Sequence, residues 1–202
     1  MEVFLRKLIV FAGLCVFFFM QRPAQAQEFD AAFGVGTVTA PSASSASGNH
    51  SFESLSGGAY PSFSGDFLFK GRLGVQGEVA WRASRALYGG FQPYRPIFWD
   101  FNGIYAPKLG KFAAAELMAG IGVESLRAYQ GFFSCSSLGC TDYSSTNHFL
   151  GHVGGGLRLY AHGHFFVRPE AHLYLVRNNV EFSSNRVARF GISLGYNFAP
   201  GF

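Results

Sequence analysis

Ten charged residues stand at alternate positions along stretches of this 202-residue chain: the acids Asp66, Glu78, Asp100, Glu116, Glu124 and Glu170, and the bases Arg82, Arg158, Arg168 and Arg189. Carboxylates and guanidiniums that share a face without water form charge-assisted, often bidentate, hydrogen bonds, because leaving either partner alone is costly. A turn centred near Gly163 sets Arg158 opposite Arg168. Such a like-charge pair is tolerable only with acids beside it. Glu170 lies two residues along the same face, and Glu116 or Glu124 reach in from the preceding strand. The expected chemistry is a fixed charge network that plugs an interior, with no catalytic, cofactor or metal site assigned.

The other reactive groups are few. Cys135 and Cys140 form an isolated pair in Phe133-Ser-Cys-Ser-Ser-Leu-Gly-Cys-Thr141. In an exported chain that spacing reads as a disulfide pinching a loop. A metal site needs two more ligands, and only Asp142 and His148 are near. His148 and His152 sit about 13 Å apart along a strand at ~3.3 Å per residue, too far to share an ion. His152 and His172 can approach across neighbouring strands, where a hydrogen-bonding role is favoured over a metal. His50 and Ser51 are neighbours in a flexible stretch, His172 is too interior to meet lipid, and no Gly-x-Ser-x-Gly elbow occurs.

The elements that carry these residues alternate with period two. From Phe29 onward eight runs each show one apolar parity and one small, polar or charged parity. The third run sets Leu73, Val75, Gly77, Val79 and Trp81 against Gly74, Gln76, Glu78, Ala80 and Arg82. The fifth sets Ala115, Leu117, Ala119, Ile121 and Val123 against Glu116, Met118, Gly120, Gly122 and Glu124. The eighth sets Phe190, Ile192, Leu194, Tyr196 and Phe198 against Arg189, Gly191, Ser193, Gly195 and Asn197. A soluble barrel buries its apolar parity, and a membrane barrel inverts this. Aromatic residues near run ends (Phe63, Phe69, Trp81, Trp99, Tyr105, Phe149, Phe165, Tyr196, Phe198) match girdles at two lipid interfaces, and the Gly-rich charged parity suits a narrow packed interior.

Connections alternate as well: long at Pro41 to Ala59, short at Gly71-Arg72, long at Ala83 to Tyr94, short at Pro107 to Lys111. A long disulfide loop (Ala128 to Asn147), a short turn at His162-Gly163-His164 and a long loop from Arg177 to Asn185 complete the series. Short turns on one side and long loops on the other give an even strand count with both termini together. Pro169 falls inside the seventh run, where its missing N–H predicts a bulge or local distortion.

The N-terminus reads as an export signal. Arg6 and Lys7 precede thirteen apolar residues, Leu8 to Met20, and the small-residue pattern Ala24-Gln25-Ala26 follows. Thirteen residues fall short of the roughly 20 that span a bilayer as a helix. Leu14 before Cys15 is too large for a lipid-anchor motif. The expected domains are a signal peptide over 1–26, cleaved after Ala26, and a barrel over 27–202. Losing Arg6, Lys7, Arg22 and Glu2 leaves 13 bases against 11 acids. That balance is no nucleic-acid footprint.

With these runs placed, the chain resembles the small outer-membrane barrels of the OmpA-transmembrane-domain and OmpX type. The motifs closest to the outer-membrane β-barrel domain family are His152-Val-Gly-Gly-Gly-Leu-Arg158, Phe165-Phe-Val-Arg-Pro-Glu-Ala171 and Ala188-Arg-Phe-Gly-Ile-Ser-Leu-Gly-Tyr-Asn-Phe198. The resemblance implies an all-β, eight-stranded antiparallel up-and-down transmembrane barrel in the bacterial outer membrane. It implies lipid and lipopolysaccharide around the barrel, the barrel-assembly machinery reading a C-terminal aromatic (Phe198 or Phe202), and a possible extracellular ligand at the loops. A non-catalytic structural or surface-interaction role is expected. A lipid A-modifying enzyme and a soluble secreted ligand-binding barrel are the alternatives, and eight strands leave no room for an open channel.

Overall fold

The computed structural model describes residues 28–69, 72–136 and 139–198. The expected signal peptide and its cleavage site, Gly71 of the first short turn, and Phe202 lie outside them. The described residues form nine strands: β1 (Glu28–Thr39), β2 (Ala59–Phe69), β3 (Leu73–Trp81), β4 (Ala86–Tyr88), β5 (Gln92–Tyr105), β6 (Ala113–Ser136), β7 (Gly139–His162), β8 (Phe165–Val176) and β9 (Arg186–Asn197). Eight are staves of a closed antiparallel barrel, and β4 is a short partner of β5 outside the circuit. Pairing runs from β3 through β2, β1, β9, β8, β7 and β6 to β5, and β3 then pairs β5 from Leu73↔Tyr105 to Trp81↔Ile97. Closure leaves no free edge, so every stave has a neighbour on both sides. Among the described residues no helix is long and apolar enough to cross a membrane.

The two parities separate cleanly. Phe33, Ile121, Phe190 and Leu194 point outward with half or more of their surface exposed, while Asp30, Glu116, Arg158 and Arg168 point inward and are buried. This is the reverse of a soluble barrel, which removes the ligand-binding alternative with its apolar parity inside. At the end where β1 begins and β9 ends, outward aromatics touch one another: Phe29 with Phe198 at 5.5 Å between centroids, and Tyr196 with Phe165 and Phe198 at 4.9 Å each.

Two expectations about the connections are corrected. The stretch from Ala128 to Asn147 is no loop: β6 and β7 continue pairing beyond the last β5 contact, through Tyr129↔Tyr143, to Cys135↔Cys140 at the tip. Its Ser- and Gly-rich composition hides a ribbon held by cross-strand rings, Tyr129 on Tyr143 at 6.0 Å, and by the disulfide. Within Ala83 to Tyr94, β4 turns back on β5 through Gly89 and Gly90, whose φ angles of 60° and 80° favour glycine. At Pro169 the pairing with β7 is interrupted between Gly156↔Glu170 and Leu159↔Val167, a local distortion without a bulge since the register is the same on both sides, and the register shift falls at Tyr160/His162 beside the turn. The Pro169 carbonyl faces β7 near Gly156, so its missing N–H lies on that side too, and one ladder bond is forgone without a shift.

Inside, the barrel is layered. Toward the long connections lies an apolar layer of Val38, Tyr60, Tyr94, Phe98, Leu150 and Tyr174, with Phe98 stacked on Tyr174 at 4.8 Å. Leu55 from the β1–β2 connection and Phe182 from the β8–β9 connection complete it. Those two connections zip together over the mouth: Ser51 N donates to Val180 O at 2.8 Å, and Ser183 N to Glu53 O at 2.7 Å. His50 Nδ1 donates to the carbonyls of Asn179 and Phe182 at 2.9 and 3.0 Å. A small cluster of Leu68, Ile104, Ala106 and Met118 packs nearer the short turns. The charged layer lies between.

Candidate functional site: the lumen charge network

Each charged residue reaches the lumen because it occupies the inward parity of its strand. Inward glycines make the space: a Cβ on Gly156 would stand 3.1 Å from Arg168 Cγ, and one on Gly195 would run into the buried Phe166 ring. Arg158, on β7, spreads its guanidinium over three strands. Its Nε donates to Glu116 on β6, its Nη1 to Asp30 on β1, and its Nη2 to Asp66 on β2 at 2.8 Å. Arg168, on β8, donates from Nη1 to Asp66 at 3.1 Å and to Glu116 at 2.9 Å, from Nε to Glu170 at 2.8 Å, and from Nη2 to Ser64 at 2.9 Å. The two arginines thus share Asp66 and Glu116, the acids that make their juxtaposition tolerable.

From Glu116 the network continues round the wall through neutral groups. Gln76 Nε2 donates to Glu116 at 3.3 Å, Asn102 Nδ2 to Gln76 at 3.0 Å, and His152 Nδ1 meets Asn102 Oδ1 at 2.7 Å. His152 Nε2 lies 3.0 Å from His172 Nδ1, and Arg189 Nη2 lies 2.8 Å from His172 Nε2. A guanidinium only donates, which assigns the protons: His172 accepts at Nε2 and carries hydrogen on Nδ1, and His152 accepts at Nε2 and donates from Nδ1. Arg189 also donates to Glu78, and to Glu170 at 3.4 Å, which returns the chain to Arg168. The bonds close a ring, and with Asp30 and Asp66 attached every one of the eight staves contributes a member. Such a ring ties strands that are not ladder neighbours.

Of the ten charged residues picked out by alternation, the structure brings eight together here: Asp66, Glu78, Asp100, Glu116, Glu170, Arg158, Arg168 and Arg189. Asp100 accepts from Asn102 and lies 3.5 Å from His152 Nδ1. The other two stand apart, toward the long connections. Glu124 is fully buried opposite Phe98 and His148, and neither of its oxygens has a hydrogen-bond partner among the described residues. Arg82 is half-buried just past β3, its Nε 2.5 Å from where a Cβ on Gly58 would stand. Counting charges alone missed Asp30, Gln76 and Asn102. Asp30 was readable, since Phe29, Ala31 and Phe33 put it on the charged parity of the first run. The two amides carry no charge pattern to betray them.

Outside the lumen, Cys135 and Cys140 are joined as a disulfide at the ribbon tip. His148 pairs instead with Glu181, at 3.1 Å. His50 is committed to the mouth, and Ser51 Oγ accepts from Tyr88 at 2.8 Å.

No protein-family model matches this sequence, and no curated protein does. Solved structures do. Ail, the attachment invasion locus protein of Yersinia pestis, in complex with the heparin analogue sucrose octasulfate, superposes with a TM-score of 0.56 at 13% identity, over 85% of this chain and 99% of that one. Neisserial surface protein A gives 0.58 at 10% identity, over 84% and 96%. A major outer membrane protein from Thermus thermophilus gives 0.59 at 12% identity, over 86% and 100%. The fold is that of the small eight-stranded outer-membrane barrels. At these identities the likeness concerns the fold, and the lumen ring stands on this chain's own residues.

Proposed function

We propose that the chain is a non-catalytic outer-membrane barrel with a side-chain-filled lumen, serving the envelope as a structural element and meeting its surroundings through the long connections. The observation that carries this reading is the opposition of the two faces: an apolar belt outside, and a hydrogen-bonded charge layer inside. Residues 1–26 act as the export signal, cleaved after Ala26, and 27–202 form the barrel. Phe198 ends the alternation, with its N–H on Phe29 O at 2.8 Å, and is the candidate aromatic for the assembly machinery. Lipid and lipopolysaccharide cover the belt.

The β6–β7 ribbon is the proposed contact surface. It projects past the barrel with Phe132 and Phe133 exposed, and at its base Arg85 lies 3.6 Å over the Tyr129 ring and Arg127 4.8 Å over Tyr143. Arg85 also lies 3.8 Å from Asp142 in an exposed pair, which an anionic group can displace, and guanidiniums laid flat on rings present their donor edges sideways. The test is twofold. Barrel reconstituted in planar bilayers is expected to show no large steady conductance, and such a conductance overturns the sealed-lumen reading. Intact cells are expected to lose binding to sulfated or phosphorylated polysaccharide when Arg85 and Arg127 are both replaced by Ala, and undiminished binding overturns the ribbon's role.

A further inference from the structure

We propose that Glu78, Glu170 and His172 form a divalent-cation site inside the barrel, now occupied by the guanidinium of Arg189. One ligand atom from each of the three lies within 4.8 Å of the others, and all three side chains are buried. Glu170 and His172 stand two apart on the inward face of β8, and Glu78 reaches them from β3 across the lumen. Arg189 Nη2 sits among them, hydrogen-bonded to Glu78, to His172 Nε2 at 2.8 Å and to Glu170 at 3.4 Å. The place is therefore built for positive charge. His172 turns a lone pair toward it, since Nε2 accepts from Arg189. Its other nitrogen donates to His152, the kind of orienting bond that metal-bound imidazoles make. One imidazole with two carboxylates suits Zn²⁺ or Mn²⁺.

Arg189 fills the place badly. Arg158 and Arg168 hydrogen-bond through all three of their nitrogens, whereas Nε and Nη1 of Arg189 have no partner among the described residues. Glu78 Oε2 and Asp100 Oδ2 are likewise buried without a donor, and Asp100 is the direct cross-strand neighbour of Glu78. Glu78 and Asp100 have Arg189 as their nearest cation, while Glu170 shares that cation with Arg168, whose Nε donates to Glu170 at 2.8 Å. A divalent ion bound by Glu78, Glu170 and His172 balances that charge better, and it releases Arg189 toward Asp100. With the apolar layer on one side and the Arg158–Arg168 pairing on the other, the ion enters as the barrel folds.

The test refolds the full chain from urea into detergent micelles with Zn²⁺, Mn²⁺ or chelator. Metal retained after desalting is measured by elemental analysis, and folding is checked by the electrophoretic shift on boiling. About one ion per folded wild-type barrel is expected, bound about tenfold more tightly by Arg189→Gln, which removes the competing charge, and lost from folded His172→Ala or Glu78→Gln. Co²⁺ in place of Zn²⁺ gives a visible absorption band that the same two variants abolish. Metal absent from both folded wild type and folded Arg189→Gln overturns the proposal. So does retention unchanged in His172→Ala and Glu78→Gln.

Discussion

Replacing Arg158 by Met keeps most of the side-chain volume and removes every donor at the most connected point of the lumen. The consequence differs among its three acids. Asp66 and Glu116 keep hydrogen bonds from Arg168 Nη1, at 3.1 and 2.9 Å. Asp30, fully buried, has no hydrogen bond other than that from Arg158 among the described residues. Removing one partner of a buried pair costs roughly 3–5 kcal/mol, and the stranded Asp30 places Arg158→Met toward the upper figure. Most of that cost is an uncompensated charge, so adding Asp30→Asn to Arg158→Met restores stability instead of lowering it further, with a coupling of about 2 kcal/mol. Urea titration of the barrel in phospholipid vesicles, followed by the fluorescence of Trp81 and Trp99 and by the boiling shift, measures all four members of the cycle. A cost below about 1 kcal/mol for Arg158→Met, or strict additivity with Asp30→Asn, refutes the reasoning.

Three further outcomes are expected. Phe98→Ala, emptying a ring stacked on Tyr174, lowers the same unfolding free energy by about 3–5 kcal/mol, and a change under 1 kcal/mol shows that the apolar layer is not packed as described. Gly156→Val costs roughly 1–3 kcal/mol because its Cβ meets Arg168 Cγ and the Pro169 carbonyl at 3.1 Å, and a neutral result in the same titration contradicts that crowding. Alkylation of the mature chain under denaturing conditions labels no thiol until reductant is added and two afterward, and reduction raises protease cleavage in the ribbon tip while the barrel's boiling shift stays unchanged.

How much of this was legible in the sequence depends on which physical rule each part obeys. Alternation is local, so strand positions and the inward set could be read directly: a one-residue error would turn Arg158 and Glu116 into lipid, and the flanking Leu157, Leu159, Ala115 and Leu117 forbid it. The antiparallel turn at Gly163 is also local, which is why Arg158 and Arg168 could be set opposite each other in advance. What stayed hidden depends on contacts between distant strands. Nothing near Gln76 or Asn102 marks them as links between Glu116 and His152, because that role exists only once β3, β5, β6 and β7 close around one lumen. The ribbon was misread for the opposite reason: its tip composition is loop-like, and pairing there rests on Tyr129, Tyr143 and a covalent bond instead of on alternation.

The layering of the interior follows from the same geometry. Inward positions near the long connections carry Tyr60, Phe98, Leu150 and Tyr174, while those deeper carry Asp66, Asp100, His152 and Arg168. Across the lumen an aromatic therefore meets an aromatic, and an acid meets an arginine or an amide. Two layers of different chemistry result, one dry and one ionic, and they fail under different insults: charge removal acts on the ionic layer, cavity-making substitutions on the dry one. Glu124 lies between them, opposite Phe98 and without a donor, where the ionic layer gives way to the aromatic one. Its carboxylate is an inward charge that the ring does not reach.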